Sequence, residues 1–167
     1  MHDLTQLLIY TGLVFVIGIE ASVIFSKIWR RVVKWQTLNY MRNLLNYTQA
    51  RHPCLSKNNF VVGKGIFNNE CHNNSVQAVK DGIASGIILC ICASRSEVFP
   101  HFINMTKNGK LIDNTFGWRY EKMDYYYVRD IREEEYEDLP RHIYAFNKKN
   151  IQHHYHWPFR KAVMKSI

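Results

Sequence analysis

Cys71, His101 and Asp113 could together support thiol chemistry, and they occur in that order in three separate local settings. Cys71 stands in Glu70-Cys71-His72-Asn73-Asn74-Ser75, where a short helix is expected to open, run through Lys80 and stop at Asp81-Gly82. Free backbone N–H groups and the dipole at a helix start favour thiolate. His101 follows Pro100, and Asp113 lies in Gly109-Lys110-Leu111-Ile112-Asp113-Asn114-Thr115. A cysteine nucleophile needs a base to hold it ionised, and the base needs a third group to orient its ring. The chemistry that fits is attack on an amide or thioester carbonyl.

These residues can work together only if the elements bring them together. Residues 99–106 and 110–115 flank Lys107-Asn108-Gly109, a strong hairpin signal. A two-residue Asn108-Gly109 turn would set Asn104 opposite Asp113 and send His101 and Asp113 to opposite faces. A three-residue loop with Gly109 in a left-handed bulge sets Ile103 opposite Asp113. His101 and Asp113 then lie diagonally on one face, about 7 Å apart at their α-carbons. The three-residue loop is predicted. Asn104 is the alternative orienting group, favoured by the shorter turn. Around the hairpin, residues 87–93 read as a strand covered on both faces, and 125–131 as an aromatic-rich strand. Residues 138–150 read as a helix, and 54–69 as an irregular lead-in.

Cys71-His72-Asn73-Asn74-Ser75, a strand, His101, and then Gly-Lys-Leu-Ile-Asp113-Asn-Thr resemble the transglutaminase-like branch of the papain-like cysteine enzymes, in the small form found in phages and bacteria. The resemblance spans roughly residues 60–131. It implies an α+β fold in which the helix bearing the nucleophile packs on an antiparallel sheet. The implied roles are Cys71 as nucleophile, His101 as base and Asp113 as orienting acid, with Asn74 supporting the loop. Ile103 stands where many members carry Trp, and no glutamine stands in the loop leading into Cys71 to complete an oxyanion hole. The Cys71 N–H with the amide of Asn68 or Asn69 is the expected substitute. No cofactor and no metal are expected. The substrate is expected to be a peptide, isopeptide or small amide.

Residues 7–25 form a nineteen-residue apolar run interrupted by one charge, Glu20. As a helix it would cover about 28 Å, close to a bilayer core. No Lys or Arg precedes it; Lys27, Arg30, Arg31 and Lys34 follow, with Trp29 and Trp35. That asymmetry predicts a single-pass anchor with the N-terminus outside and the catalytic domain cytoplasmic. The alternative is a buried helix with Glu20 at its edge. The expected division is an anchor with its basic flank over 1–34 and the α+β domain over 35–167. A second amphipathic helix, carrying Leu38, Met41, Leu44 and Leu45, is expected to end at His52-Pro53.

The charge balance, 22 basic against 14 acidic residues, gives +8. Much of the excess flanks the apolar run, so no nucleic-acid partner is expected. Cys90 and Cys92 alternate with apolar residues and read as core. His153-His154-Tyr155-His156 lacks a nearby Cys or carboxylate at ligand spacing and reads as a tail. The rival to an enzyme is a catalytically inactive, membrane-tethered interaction protein of viral or phage origin that keeps the same fold.

Overall fold

The computed structural model describes residues 2–94, 97–154 and 159–166, with side chains described within 19–94, 97–152 and 159–165. The fold is α+β: a five-stranded mixed sheet with helices against it. Its elements are α1 (His2–Arg51), β1 (Phe60–Val62), α2 (Cys71–Lys80), β2 (Gly86–Ala93), β3 (Val98–Met105), β4 (Leu111–Asp113), β5 (Asp124–Ile131), α3 (Leu139–His154) and α4 (Phe159–Ser166). The sheet order is β1-β4-β3-β2-β5.

Two expectations change. The sheet is not wholly antiparallel, because β1 pairs in parallel with β4 through Phe60–Leu111 and Val62–Asp113. The lead-in is not irregular throughout: it holds a 3₁₀ turn, Lys57–Asn59, and then β1. Phe60 drives that strand inward, stacking on Tyr120 at 5.3 Å and packing on Tyr125 at 4.8 Å.

Residues 2–51 form one helix, so the expected boundary at residue 34 falls inside α1. Among its described side chains burial starts at Thr37: Thr37, Tyr40, Leu44 and Thr48 recur at helical spacing and face the core. The hydroxyls of Thr37 and Thr48 donate to the carbonyls of Val33 and Leu44 at 2.9 and 2.6 Å, so their burial leaves no polar group unpaired. Of the anchor stretch, the side chains of residues 7–18 lie outside those described. Among the described residues, no helix is long and apolar enough to cross a membrane. Ile19, Val23, Ile24, Phe25 and Ile28 are nonetheless exposed. The histidine-rich tract at 153–156 also lies outside the residues whose side chains are described.

β2 lies between β3 and β5 and is buried along seven of its eight residues. Its residues feed different cores by alternation. Cys90 and Cys92 join Ile103 and Tyr125 on one face; Ile87 and Leu89 join Phe102, Ile131 and Leu139 on the other. The β2–β5 pairing shifts between Leu89 and Cys90, where Leu89 meets Arg129 and Cys90 meets Tyr127. Val128 is therefore a bulge residue, and Tyr125 and Tyr127 share the face of Cys90 and Cys92. The free edge of β5 is covered by residues 53–55, through Leu55 N–H to Tyr125 O at 2.7 Å and Tyr127 N–H to Pro53 O at 3.0 Å.

Candidate functional site

The hairpin loop has three residues. Gly109 N–H donates to Thr106 O at 3.0 Å, Thr106 N–H donates to Lys110 O at 2.8 Å, and Gly109 holds a φ of 73°. Asn104 pairs with Ile112 and Met105 with Leu111, which sets Ile103 level with Asp113. His101 and Asp113 thus share a face, and His101 Nε2 lies 2.9 Å from Asp113 Oδ2. Both side chains are buried, at 2% and 0% exposure.

Asp113 is surrounded by donors. Its Oδ1 accepts the backbone N–H groups of Thr115 and Phe116, each at 2.9 Å. Its Oδ2 accepts the Tyr125 hydroxyl at 2.7 Å as well as His101. Burial alone would raise the carboxyl's pKa; the charge and bond of His101, the Phe116 N–H and the Tyr125 hydroxyl outweigh burial and hold it below the ordinary carboxylate range. An ionised carboxylate can only accept, so His101 Nε2 is the donor and Nδ1 is the nitrogen left for Cys71.

Cys71 opens α2, whose first N–H groups receive no side-chain cap from Glu70. Its thiol shares one cleft with the His101 ring, and the two groups shift each other's titration. Burial pushes the thiol up and Asp113 adds to that; the His101 bond and charge, with a bond from the Phe102 backbone, more than reverse it and hold the thiol below 9.0. For His101, burial pushes down, but the charge and bond of Asp113 and then Cys71 raise it to about 10. Those directions favour the thiolate–imidazolium pair over the neutral one. The His101 ring is held from the sides as well: Phe116 stacks on it at 4.8 Å and Phe99 meets it edge-on at 6.0 Å.

The α2 start is pinned from below. Asn74 Nδ2 donates to Thr115 Oγ1 at 3.0 Å and to Asn68 Oδ1 at 2.8 Å, and Asn68 Oδ1 also accepts Glu70 N–H at 3.1 Å. The loop before α2 runs against the turn after Asp113 through Ile66 N–H to Asn114 O and Phe67 N–H to Thr115 O. Glycines permit this approach. A Cβ on Gly63 would overlap the Asp113 carbonyl, and one on Gly117 would come within 2.6 Å of Gly65 Cα.

Asn74 therefore sits where a loop support must be. Asn69 lines the cleft beside Cys71 with a left-handed φ of 58°, while the Asn68 amide is taken up by Asn74 and Glu70. Asn104 does not orient His101. Its Nδ2 donates to Ser75 O and Gly86 O at 3.0 and 3.2 Å, tying α2 to β3 on the other face. Sequence reasoning missed Tyr125, Phe116 and the glycine contacts. The Tyr125-Tyr126-Tyr127 run and Gly63/Gly65 beside the cysteine loop were the available signals.

A cleft of about 400 Å³ adjoins the site. Cys71, His101 and Asn69 form its floor, Tyr40 of α1 and Asn147 of α3 stand in its wall, and Glu97 sits at its rim. The Tyr40 hydroxyl donates to Asn147 Oδ1 at 2.8 Å, locking α1 to α3 there. Among the described residues, no group of three or more His, Cys, Asp or Glu is placed to hold a metal ion. No protein-family model, curated protein or solved structure matches the chain.

Proposed function

We propose that Cys71, His101 and Asp113 are the triad of a membrane-anchored thiol hydrolase or acyltransferase of the transglutaminase-like kind, acting on peptide, isopeptide or small amide bonds. The observation that carries this reading is a His101 ring that shares a cleft with the Cys71 thiol and is held by an Asp113 carboxylate accepting four donors. Cys71 thiolate attacks the carbonyl carbon, forming a C–S bond while the carbonyl electron pair moves to oxygen. The Cys71 N–H and the Asn69 amide are the proposed donors to that oxygen. Collapse of the intermediate breaks the C–N bond, and the His101 imidazolium delivers its proton to the leaving amine. The thioester then yields to water or to an acceptor amine, which His101 deprotonates. Asp113 holds the ring in place and stays ionised throughout.

The adjoining cleft favours catalysis over a purely binding role, since a closed, dry thiol would give a substrate no route in. The exposed apolar side chains of α1 between Ile19 and Ile28, followed by Arg30, Arg31 and Lys34, support an anchor with the triad on the cytoplasmic side.

The test is labelling with a thiol-reactive probe across pH for wild type, Cys71→Ala and His101→Ala. Neutral-pH labelling is expected to vanish in Cys71→Ala and to slow markedly in His101→Ala. Equal rates for wild type and His101→Ala would rule out an activated pair.

A further inference from the structure

A second concavity, lined by none of the triad residues, lies between α1 and α4. Trp29, Arg30, Lys34 and Leu38 of α1 form one side, and Ala162 and Lys165 of α4 the other, around a volume of about 570 Å³. The helices are joined above it by a run of rings: Phe25 on Trp29 at 6.5 Å, and Trp29 on Phe159 at 5.9 Å. Below it, Val163 is fully buried beside Tyr40 and Leu44, which fixes α4 against the body of the fold. The groove is thus built by packing at both ends.

Its lining combines two chemistries. The floor is largely apolar, from Val33, Leu38, Ala162 and the Trp29 ring, and the three charged residues that line it are all cationic. No ion pair among the described residues involves Arg30, Lys34 or Lys165. Arg30 and Lys34 are one helical turn apart, so their heads come from one side while Lys165 approaches from the other. An apolar trough ringed by three cations suits a ligand with a single anionic head and a hydrocarbon tail.

Position adds a further constraint. Arg30 follows Phe25 by five residues, about 8 Å along the helix. In the anchored reading the groove opens at the level of the lipid headgroups, where cations flanking a span meet anionic lipid. We infer that the α1–α4 groove binds an anionic phospholipid, its phosphodiester between Arg30, Lys34 and Lys165 and part of one acyl chain along Trp29 and Leu38. The inference rests on the membrane reading proposed above, but not on the triad.

The test uses the full chain in neutral detergent micelles, titrated with phosphatidylglycerol or phosphatidylcholine carrying brominated acyl chains, with tryptophan quenching as the readout. Wild type is expected to be quenched at lower mole fraction by phosphatidylglycerol. The variant R30A/K34A/K165A should lose that preference, by about fivefold per side chain at low ionic strength. The variant K80A/K107A/K148A, with the same charge change at exposed sites elsewhere, should keep it. Equal quenching of wild type by both lipids, or equal losses in the two variants, would overturn the site. Competition by free glycerol phosphate as strong as by the lipid would make it a soluble phosphate-ester site and overturn the lipid assignment. Flotation with phosphatidylcholine vesicles reads the anchor separately: a chain that fails to float refutes the anchor, while the micelle titration still reports on the groove.

Discussion

Tyr125 and His101 converge on the same oxygen of Asp113, the hydroxyl at 2.7 Å and Nε2 at 2.9 Å. The hydroxyl cannot take up the acid's charge, because burial and Asp113 both raise its pKa far above the ordinary phenol range. It acts as a fixed donor that holds the carboxylate plane toward the imidazole. Tyr125→Phe is expected to lower stability by about 1.5–3 kcal/mol, the usual worth of a buried hydrogen bond to a charged group. Urea unfolding checks this. Probe labelling of Cys71 should slow less than in Asp113→Asn, because His101 keeps its partner.

Asp113→Asn changes the hydrogen-bond logic while keeping the shape. The amide oxygen can still accept the Thr115 and Phe116 N–H groups. The amide nitrogen would then face His101 Nε2 as a donor. That forces the proton onto Nδ1, where it can no longer be taken from the thiol. Turnover is expected to fall about 10²–10⁴-fold. The Cys71 titration should move up toward that of an ordinary thiol, which labelling against pH would show.

The pH profile follows from the three shifts. Labelling should rise as Cys71 ionises below 9.0 and hold level until His101 deprotonates near 10. For stability, Asp113 is depressed below 3.8, so its contribution is complete above that value and is lost as pH falls through its folded pKa. His101 is raised from 6.5 to about 10, so its contribution is complete below 6.5 and is lost as pH rises toward 10. Cys71 opposes His101, gaining from its lowered folded pKa up to 9.0. Net alkaline destabilisation should therefore be plainest between 9 and 10. In Cys71→Ala the decline should start nearer neutrality. Melting temperature against pH for the two proteins tests this.

The glycines near Asp113 should rank by surroundings. Gly109→Ala meets open space and carries only the left-handed backbone penalty, about 1 kcal/mol. Gly63→Ala and Gly117→Ala collide with backbone at Asp113 and Gly65, and are expected to cost several times as much, on the order of 3 kcal/mol or more. Chemical denaturation of the three variants would show the order.

Removing residues 1–30 should leave the fold intact, because among the described side chains of α1 burial begins at Thr37. The shortened chain is expected to label at Cys71 like wild type and to lose flotation with phosphatidylcholine vesicles. Loss of labelling with the fold intact would mean that the first thirty residues shape the site.

Much of the site was legible because local rules spoke for it. Lys107-Asn108-Gly109 admits few turns, and only the three-residue one aligns His101 with Asp113. The α2 boundaries followed from Cys71 at its start and Asp81-Gly82 at its end. What stayed hidden depended on pairings distant in the chain. β1 exists because Phe60 finds Tyr120 and Tyr125, sixty residues on, and its parallel pairing with β4 leaves no local mark. Asn104 looked like a rival to Asp113 because sequence spacing cannot say which face an amide serves.

Tyr125 and Ile131 are six residues apart and, in an unbroken strand, would point the same way. Here Tyr125 reaches Asp113 on one side of the sheet, and Ile131 packs with Leu89 and Leu139 on the other. β5 is two out-of-phase stretches spliced at Val128. A strand with a single phase would have to choose between a tyrosine on the aspartate and an isoleucine in the opposite core. Loss of Val128 would preserve both flanking pairs, Leu89–Arg129 and Cys90–Tyr127. Loss of any residue from Tyr125 to Tyr127 would bring the wrong side chain to the acid. The splice point is where β5 can best tolerate being shortened.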